Sequence, residues 1–212
     1  MSDYTGMTVT VDGAAYKTHR VTREAVIDVA IEPGAQRLPE LATTLNFFDH
    51  MLEMLGWYAD AAIDASYEVK TFRLTHTCVE DIGLALGLAA SRLLTDRIAD
   101  GVESSGFAYG QMDEASAFSG VSFEGRSNHK IERRDAADHS HVEDMLAADL
   151  VGFFEGFAQG ARCSVHLAMW DAKDPHHAWE AGFRAFARAL RAALAPNPAR
   201  AGKTAGVKGT LD

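Results

Sequence analysis

The architecture of this chain can be worked out from one stretch, Asp174-Pro175-His176-His177-Ala178-Trp179-Glu180. His176 and Glu180 stand four residues apart at the start of a run with helical apolar spacing, so a helix would place both side chains on one face. An imidazole and a carboxylate on one face, with His177 beside them, form a candidate metal site. A pair of solvated histidines at a helix start would give the same pattern.

An earlier segment repeats this pattern. His76 and Glu80 open a second helical run, and each lies 100 residues before its counterpart (176 − 76 = 100 and 180 − 80 = 100). A duplicated unit explains this spacing better than chance does. We therefore predict one domain, 1–212, made of two repeats at about 7–100 and 101–198, with a tail at 199–212 that contains glycine and lysine.

The flanking sequence predicts an α+β fold. Alternating apolar residues predict strands around 7–11, 16–21, 25–31, 60–69, 107–109, 117–123 and 164–169. Helical spacing predicts four helices, which begin near Phe47, His76, Leu146 and His176. The polar segment 129–141 is predicted to be a loop. Four helices packed on antiparallel or mixed sheets, in a duplicated strand-helix-strand-helix arrangement, account for this order.

Composition narrows the class of protein. The formal net charge of −10, without a basic cluster, argues against a nucleic-acid partner. The two cysteines, Cys78 and Cys163, are too few for a disulfide framework and favour a reducing compartment. The start of the chain lacks a leader pattern, and no apolar run reaches about 18 residues. We expect a cytoplasmic protein with no membrane partner.

Four ordered motifs carry a resemblance to a known family. They are Phe47-Phe48-Asp49-His50-Met51-Leu52, the segment from His76 to Gly87, Met112-Asp113-Glu114-Ala115, and His176-His177-x-x-Glu180. From about Arg20 to Leu211 the chain resembles imidazoleglycerol-phosphate dehydratase. The resemblance implies a ribosomal protein S5 domain 2-like fold and a two-manganese lyase of histidine biosynthesis that acts on a small molecule. It also implies a homo-oligomeric shell of 24 subunits with sites between subunits.

The same resemblance implies a role for each motif residue. The implied metal ligands are His50, His76, Glu80, His176, His177 and Glu180. The implied acid and base groups are Glu24, Glu180 and Asp113, and the implied substrate contacts are Arg126, Lys208, Glu114 and Arg184. Imidazoles and carboxylates suit divalent ions such as manganese, which would stabilise an imidazolate, while a free carboxylate moves protons. Glu24 also fits an exposed strand carboxylate.

Two expected imidazoles are missing. Thr77 follows His76 where the family has adjacent histidines, and Gly152 occupies the position in the second half that corresponds to His50. A divalent ion can remain bound on three protein ligands and water, so the losses would weaken a site without abolishing it. Replacement by His139, His141 or Cys78 is left open by the sequence.

The expected phosphate contacts are also reduced. Ser104 or Ser105 replaces an arginine, Gly206 replaces a serine, and Met54 and Tyr58 replace a glutamine and a histidine. Loss of a bidentate guanidinium removes much of what holds a phosphate dianion. Three hypotheses follow: a diverged metal-dependent lyase or tautomerase acting on an azole-like or other small polar substrate, an authentic imidazoleglycerol-phosphate dehydratase, and a non-catalytic shell subunit. The altered phosphate contacts favour the first.

Overall fold

A computed structural model describes residues 6–134, 140–170 and 172–211. Their elements in chain order are β1 (Thr8–Asp12), β2 (Ala15–Val21), β3 (Ala25–Pro33), β4 (Leu41–Ala42), α1 (Asn46–Ala59), β5 (Ala61–Val69), α2 (Thr75–Arg97), β6 (Ser105–Met112), β7 (Ala115–Ser122), β8 (Asn128–Arg134), β9 (His141–Val142), β10 (Met145–Leu146), α3 (Ala147–Ala161), β11 (Ser164–Trp170) and α4 (Pro175–Ala193). A short 3-10 turn, Pro198–Arg200, follows. None of the helices described is long and apolar enough to cross a membrane.

The helices pack on two mixed sheets. One sheet has the order β1-β2-β3-β5-β4 and the other β6-β7-β11-β8. In each sheet one edge strand is parallel to its neighbour, β4 to β5 and β8 to β11, and the other pairs are antiparallel. The predicted α+β class with four helices on mixed sheets is confirmed. The boundary between the two repeats stays a prediction.

The prediction of a loop over 129–141 was wrong at both ends of that segment. Asn128–Arg134 form β8, in parallel register with β11, so that Ile131 lies opposite Leu167. Lys130 and Glu132 obscured the strand pattern, since a strand at a sheet edge tolerates charged residues that a central strand excludes. His141 begins β9, whereas His139 lies outside the described residues.

Helices α2 and α3 pack with their backbones in contact. A Cβ atom added to Gly83 or Gly87 on α2 would lie 2.3 Å from a carbonyl oxygen of α3, and one added to Gly156 or Gly160 on α3 would lie 2.2 or 2.0 Å from a carbonyl oxygen of α2. No larger residue fits there unless the helices separate. This contact was not predicted from the sequence, and it holds the start of α2 against Gly152 of α3.

Aromatic side chains fix the orientation of α4. Phe183 and Phe186 are fully buried, and the ring centroid of Phe183 lies 5.1 Å from that of Phe154 on α3. Such pairs stabilise a core beyond simple area burial. Trp179 is also buried, at 1% exposure, so the apolar residues that recur at helical spacing after His176 form a stripe that lies in the core. With that stripe in the core, the rotation of α4 about its axis is fixed.

Candidate metal centre and active site

The first turn of α4 presents two of the expected metal ligands. Asp174 caps the helix, since its Oδ1 accepts the backbone N–H of His176 at 2.8 Å, and Pro175 occupies the first turn. The Nε2 of His176 lies 3.3 Å from Oε2 of Glu180 one turn later. Glu180 is only 4% exposed. A buried carboxylate of this kind requires a charged or hydrogen-bonding partner.

Helix α1 adds a third donor from the other half of the chain. The Nε2 of His50 lies 3.5 Å from Oε2 of Glu180, and the rings of His50 and His176 are 5.6 Å apart. Within the described ranges, His50, His176 and Glu180 are the one set of three or more His, Cys, Asp or Glu residues whose donor atoms all lie within 4.8 Å of one another. Two imidazoles and a carboxylate suit manganese-type or zinc-type ions.

The hairpin between β9 and β10 holds these two helices together. Asp144 accepts the backbone N–H groups of Asn46 at 2.9 Å and Phe47 at 3.2 Å, and so caps α1, whose own N-cap residue Leu45 offers no side-chain bond. Its neighbour Glu143 places Oε1 3.0 Å from Nδ1 of His176. Sequence reasoning missed both residues, because an acidic pair in a turn is too common to signal a contact.

His177 makes a second carboxylate contact on the other side of the helix start. Its Nδ1 lies 2.9 Å from Oε2 of Glu114, and its Nε2 lies 3.7 Å from Oδ2 of Asp113. Glu114 also accepts the backbone N–H groups of Lys173 and Asp174. The bond with His177 lowers the pKa of Glu114 to about 2 and raises the pKa of His177. Glu114 is thus engaged by the protein itself.

Arg184 keeps Glu180 ionised. Burial acts to raise the pKa of Glu180, but the hydrogen bond and charge of Arg184, together with the neighbouring His50, bring that pKa below its ordinary value. Arg184 also donates to the carbonyl of Gln111 at 2.7 Å and lies over the ring of Tyr58, 5.1 Å from its centroid. Glu180 is therefore suited to bind a cation at neutral pH.

A second cluster joins α2 to α3. The Nε2 of His76 lies 3.1 Å from Oε2 of Glu80, and its Nδ1 lies 3.7 Å from Oδ1 of Asp149. A Cβ atom added to Gly152 would lie 3.4 Å from Cε1 of His76. Gly152 therefore faces His76 as His50 faces His176, which agrees with the expected correspondence. Each cluster combines one helix from each half of the chain.

Two further residues lie near the start of α2. Glu24 lies in the turn between β2 and β3, and its charge contributes to the raised pKa of Asp81, although burial contributes most. Arg20 opposes this effect from 2.6 Å. Cys78 is 2% exposed and burial raises the pKa of its thiol to about 12. It therefore stays protonated at neutral pH and is a poor replacement ligand.

Two expected substrate contacts, Arg126 and Lys208, and one possible replacement ligand, His141, lie on the surface. Arg126 is exposed and pairs with Glu124 at 2.9 Å. Lys208 is exposed in the tail, and His141 is exposed in β9 with its Nδ1 3.2 Å from Oγ of Ser140. In the part of the chain that the structure describes, no hydrogen bond or ion pair joins these three side chains to either cluster. Their roles stay predictions.

Comparison with known proteins identifies an enzyme of the hydro-lyase class. The imidazoleglycerol-phosphate dehydratase of Koribacter versatilis is 34% identical over 193 residues, which cover 91% of this chain and 96% of that protein. That of Deinococcus radiodurans is 34% identical over 176 residues, which cover 83% and 89%. A solved structure of the Pyrococcus furiosus dehydratase matches with a TM-score of 0.73 and 27% identity over 90% of this chain and 98% of that one.

The family model for imidazoleglycerol-phosphate dehydratase matches residues 43–190, which is more than half of the chain. This chain belongs to the imidazoleglycerol-phosphate dehydratase family. The matched range includes all the expected metal ligands and leaves out Glu24 and Lys208. The resemblance seen in the sequence is confirmed, and the role of each residue is taken up as a proposal below.

Restoring the two missing imidazoles is expected to strengthen cation binding. A side chain at Gly152 would make ordinary contact with the flexible ring of His76, so the Thr77→His, Gly152→His double variant should bind Co²⁺ about tenfold more tightly. Competition with a chromophoric chelator measures this affinity. The matched control is Thr204→His with Gly206→His, in the tail. No gain over that control would show that the pocket no longer accepts an imidazole.

Proposed function

We propose that this chain catalyses the metal-dependent dehydration of imidazoleglycerol phosphate, with manganese as its divalent ion. The observation that carries the proposal is the approach of His50, His176 and Glu180 in a member of this family. The names of the relatives favour this hypothesis over the diverged lyase that the altered sequence motifs suggested. Retention of this donor set argues against a non-catalytic subunit.

The donor set fits the proposed ion. The Nε2 atoms of His50 and His176 and the ionised carboxylate of Glu180 would hold one cation, and His76 with Glu80 would hold a second. A bound divalent ion supplies positive charge that stabilises the imidazole ring of the substrate as that ring loses a proton. His177, whose Nε2 is directed away from Glu114, is a further proposed ligand.

Dehydration also needs groups that move protons. One group must take a proton from the substrate, and one must protonate the departing hydroxyl. We assign these steps to Glu24, Asp113 and Glu180. Glu24, in the turn between β2 and β3, lies near Asp81 of α2, and Asp113 is exposed beside Nε2 of His177. Arg126, Lys208, Arg184 and Glu114 remain the proposed substrate contacts, although Arg184 and Glu114 already hold protein groups.

Assembly with further copies is part of this proposal. Within one chain the two clusters are incomplete relative to the family's expected ligands, and the His76 side chain is 61% exposed. A homo-oligomer with sites between subunits, up to the 24-mer that the resemblance implies, would bring donors from neighbouring copies to these imidazoles. Light scattering on the purified protein measures the assembly. A fully active monomer would rule this part out.

A second function has specific support. Ser104, one of the two positions that replace the expected arginine, is 3% exposed, and Arg126 is paired with Glu124. Tyr58 lies against Arg184 and Arg188, 5.1 and 4.7 Å from its ring centroid, in place of the expected histidine. These features favour a diverged lyase or tautomerase that acts on an azole-like or other small polar substrate lacking a phosphate.

A turnover assay separates these functions. We expect manganese-loaded protein to convert imidazoleglycerol phosphate to its keto product, chelation to stop the reaction, and added manganese to restore it. His176→Ala should be inactive, while His19→Ala, which alters an exposed histidine of β2 paired with Asp28 of β3, should keep the activity. Turnover of the dephosphorylated alcohol alone would favour the second function. Bound metal without turnover of either compound would reject both.

A further inference from the structure

The two imidazoles at the start of α4 share one arrangement around their rings. In His176 and His177 the Nδ1 atom lies 3.0 Å from Glu143 and 2.9 Å from Glu114, respectively. In both rings a glutamate from another element lies within hydrogen-bonding distance of Nδ1, while Nε2 of His176 faces Glu180 and Nε2 of His177 lies 3.7 Å from Asp113. His76 differs, since its closest carboxylate is that of Glu80 at 3.1 Å from Nε2, and Asp149 lies 3.7 Å from Nδ1, beyond hydrogen-bonding distance.

This arrangement decides which ring nitrogen can bind a cation. An ionised carboxylate only accepts hydrogen bonds, so Nδ1 must be the donor. In a neutral imidazole the lone pair then lies on Nε2. The Nε2 of His176 is the atom that approaches Glu180, at 3.3 Å. Glu143 and Glu114 therefore favour the tautomer that a metal site needs.

We propose that Glu143 and Glu114 are positioning residues, which hold His176 and His177 in the tautomer and orientation that present Nε2 to a divalent cation. Carboxylates that accept the free N–H of a ligating imidazole fix its orientation and raise its basicity. The inference rests on the proposed cation site, and it gives Glu114 a role other than substrate binding.

The backbone at these carboxylates supports the assignment. Glu143 has φ 48°, and Asp113, which precedes Glu114, has φ 46°. Both lie in the left-handed region, which glycine, asparagine and aspartate adopt more readily than glutamate, so the unfavourable residue is Glu143. A glutamate at a position that favours glycine indicates that its side chain contributes something other than turn stability.

A purely structural role is the alternative, and it can be separated by experiment. Glu114 accepts backbone N–H groups of Lys173 and Asp174, so its loss would also loosen the segment before α4. Glu143 gives the cleaner test. Glycine at this position removes the carboxylate but relieves the left-handed strain, so stability and cation affinity should move independently.

The test is a Co²⁺ titration of the full chain with Glu143→Gly and Glu143→Gln. The carbonyl oxygen of glutamine can still accept the Nδ1 proton, so this variant should bind within about threefold of the unaltered protein. The glycine variant should bind about 10–100-fold more weakly, with an unchanged or higher melting temperature. At position 114 we likewise expect Glu114→Gln to bind Co²⁺ more tightly than Glu114→Ala does. Asp28→Ala, which removes the partner of His19 at 2.7 Å, is the matched control and should bind Co²⁺ normally.

Three results would overturn the inference. The first is that Glu143→Gly and Glu114→Ala bind Co²⁺ as tightly as the unaltered protein does. The second is that the glutamine variants bind Co²⁺ as weakly as the glycine and alanine variants do. The third is that the unaltered protein binds no Co²⁺. The second result would mean that the carboxylates contribute charge as direct ligands. Because the readout is binding, a protein that binds Co²⁺ in the expected order but does not turn over imidazoleglycerol phosphate would leave this inference standing and reject only the proposed function.

Discussion

Glu180→Gln is expected to abolish tight cation binding at the site formed by His50 and His176. Glu180 supplies the carboxylate that both imidazoles approach, and it is 4% exposed. Loss of a group that merely supports a ligand weakens metal affinity by about 10–100-fold, and loss of a ligand itself should exceed that range. The same change leaves the half-buried Arg184 without its carboxylate, so the variant should also be less stable, by up to about 3 kcal/mol.

Metal analysis and a Co²⁺ competition titration measure the first effect, and thermal unfolding measures the second. Glu155→Gln is the matched control, since Glu155 is a carboxylate of α3 that lies 4.0 Å from His129 and outside both clusters. It should keep both the metal content and the melting temperature. Metal content of Glu180→Gln equal to that of the control would show that Glu180 is not a ligand.

Gly160→Ala is expected to destabilise the protein by about 3 kcal/mol or more. A Cβ atom at Gly160 would lie 2.0 Å from the carbonyl oxygen of Leu84. Since that neighbour is backbone, only separation of α2 from α3 relieves the overlap. The separation would also move Gly152 away from His76, so cation affinity at the second cluster should fall with stability.

Gly152→Ala on the same helix is the control for this prediction. Its Cβ atom would meet only side-chain atoms, the nearest at 3.4 Å. A glycine-to-alanine change inside a helix then stabilises by about 0.5–1 kcal/mol through the unfolded state. Urea unfolding of the two variants measures the difference. If Gly160→Ala were as stable as Gly152→Ala, the close approach of α2 and α3 would be incorrect.

Much of the fold follows from local pattern. The apolar stripe of Trp179, Phe183 and Phe186 predicts both the existence of α4 and the face that it buries, because helical spacing depends only on neighbouring residues. The charged strand β8 was missed, since its place at a sheet edge beside β11 removes the apolar alternation on which strand prediction relies. Local sequence pattern therefore predicts helices and strands with a regular apolar face better than it predicts a charged edge strand such as β8.

The candidate site was predicted only in part, for a related reason. His176 and Glu180 come together through the spacing of a single helix, whereas the approach of His50 depends on the packing of α1 against α4. The contact between Glu143 and His176 spans 33 residues and requires the β9–β10 hairpin to lie beside the start of α4. Nothing in the sequence around Glu143 signals that position. The family resemblance predicted His50 as a metal ligand, whereas the contact between Glu143 and His176 was found only in the structure.

The central claim is that α1 and α4 together bind a divalent cation. Anomalous diffraction at the manganese edge, from crystals of the full chain grown with Mn²⁺, tests it most directly. We expect a peak about 2.0–2.3 Å from Nε2 of His50, Nε2 of His176 and a carboxylate oxygen of Glu180. A map with no peak there, in which both imidazoles contact only Glu180, would contradict it.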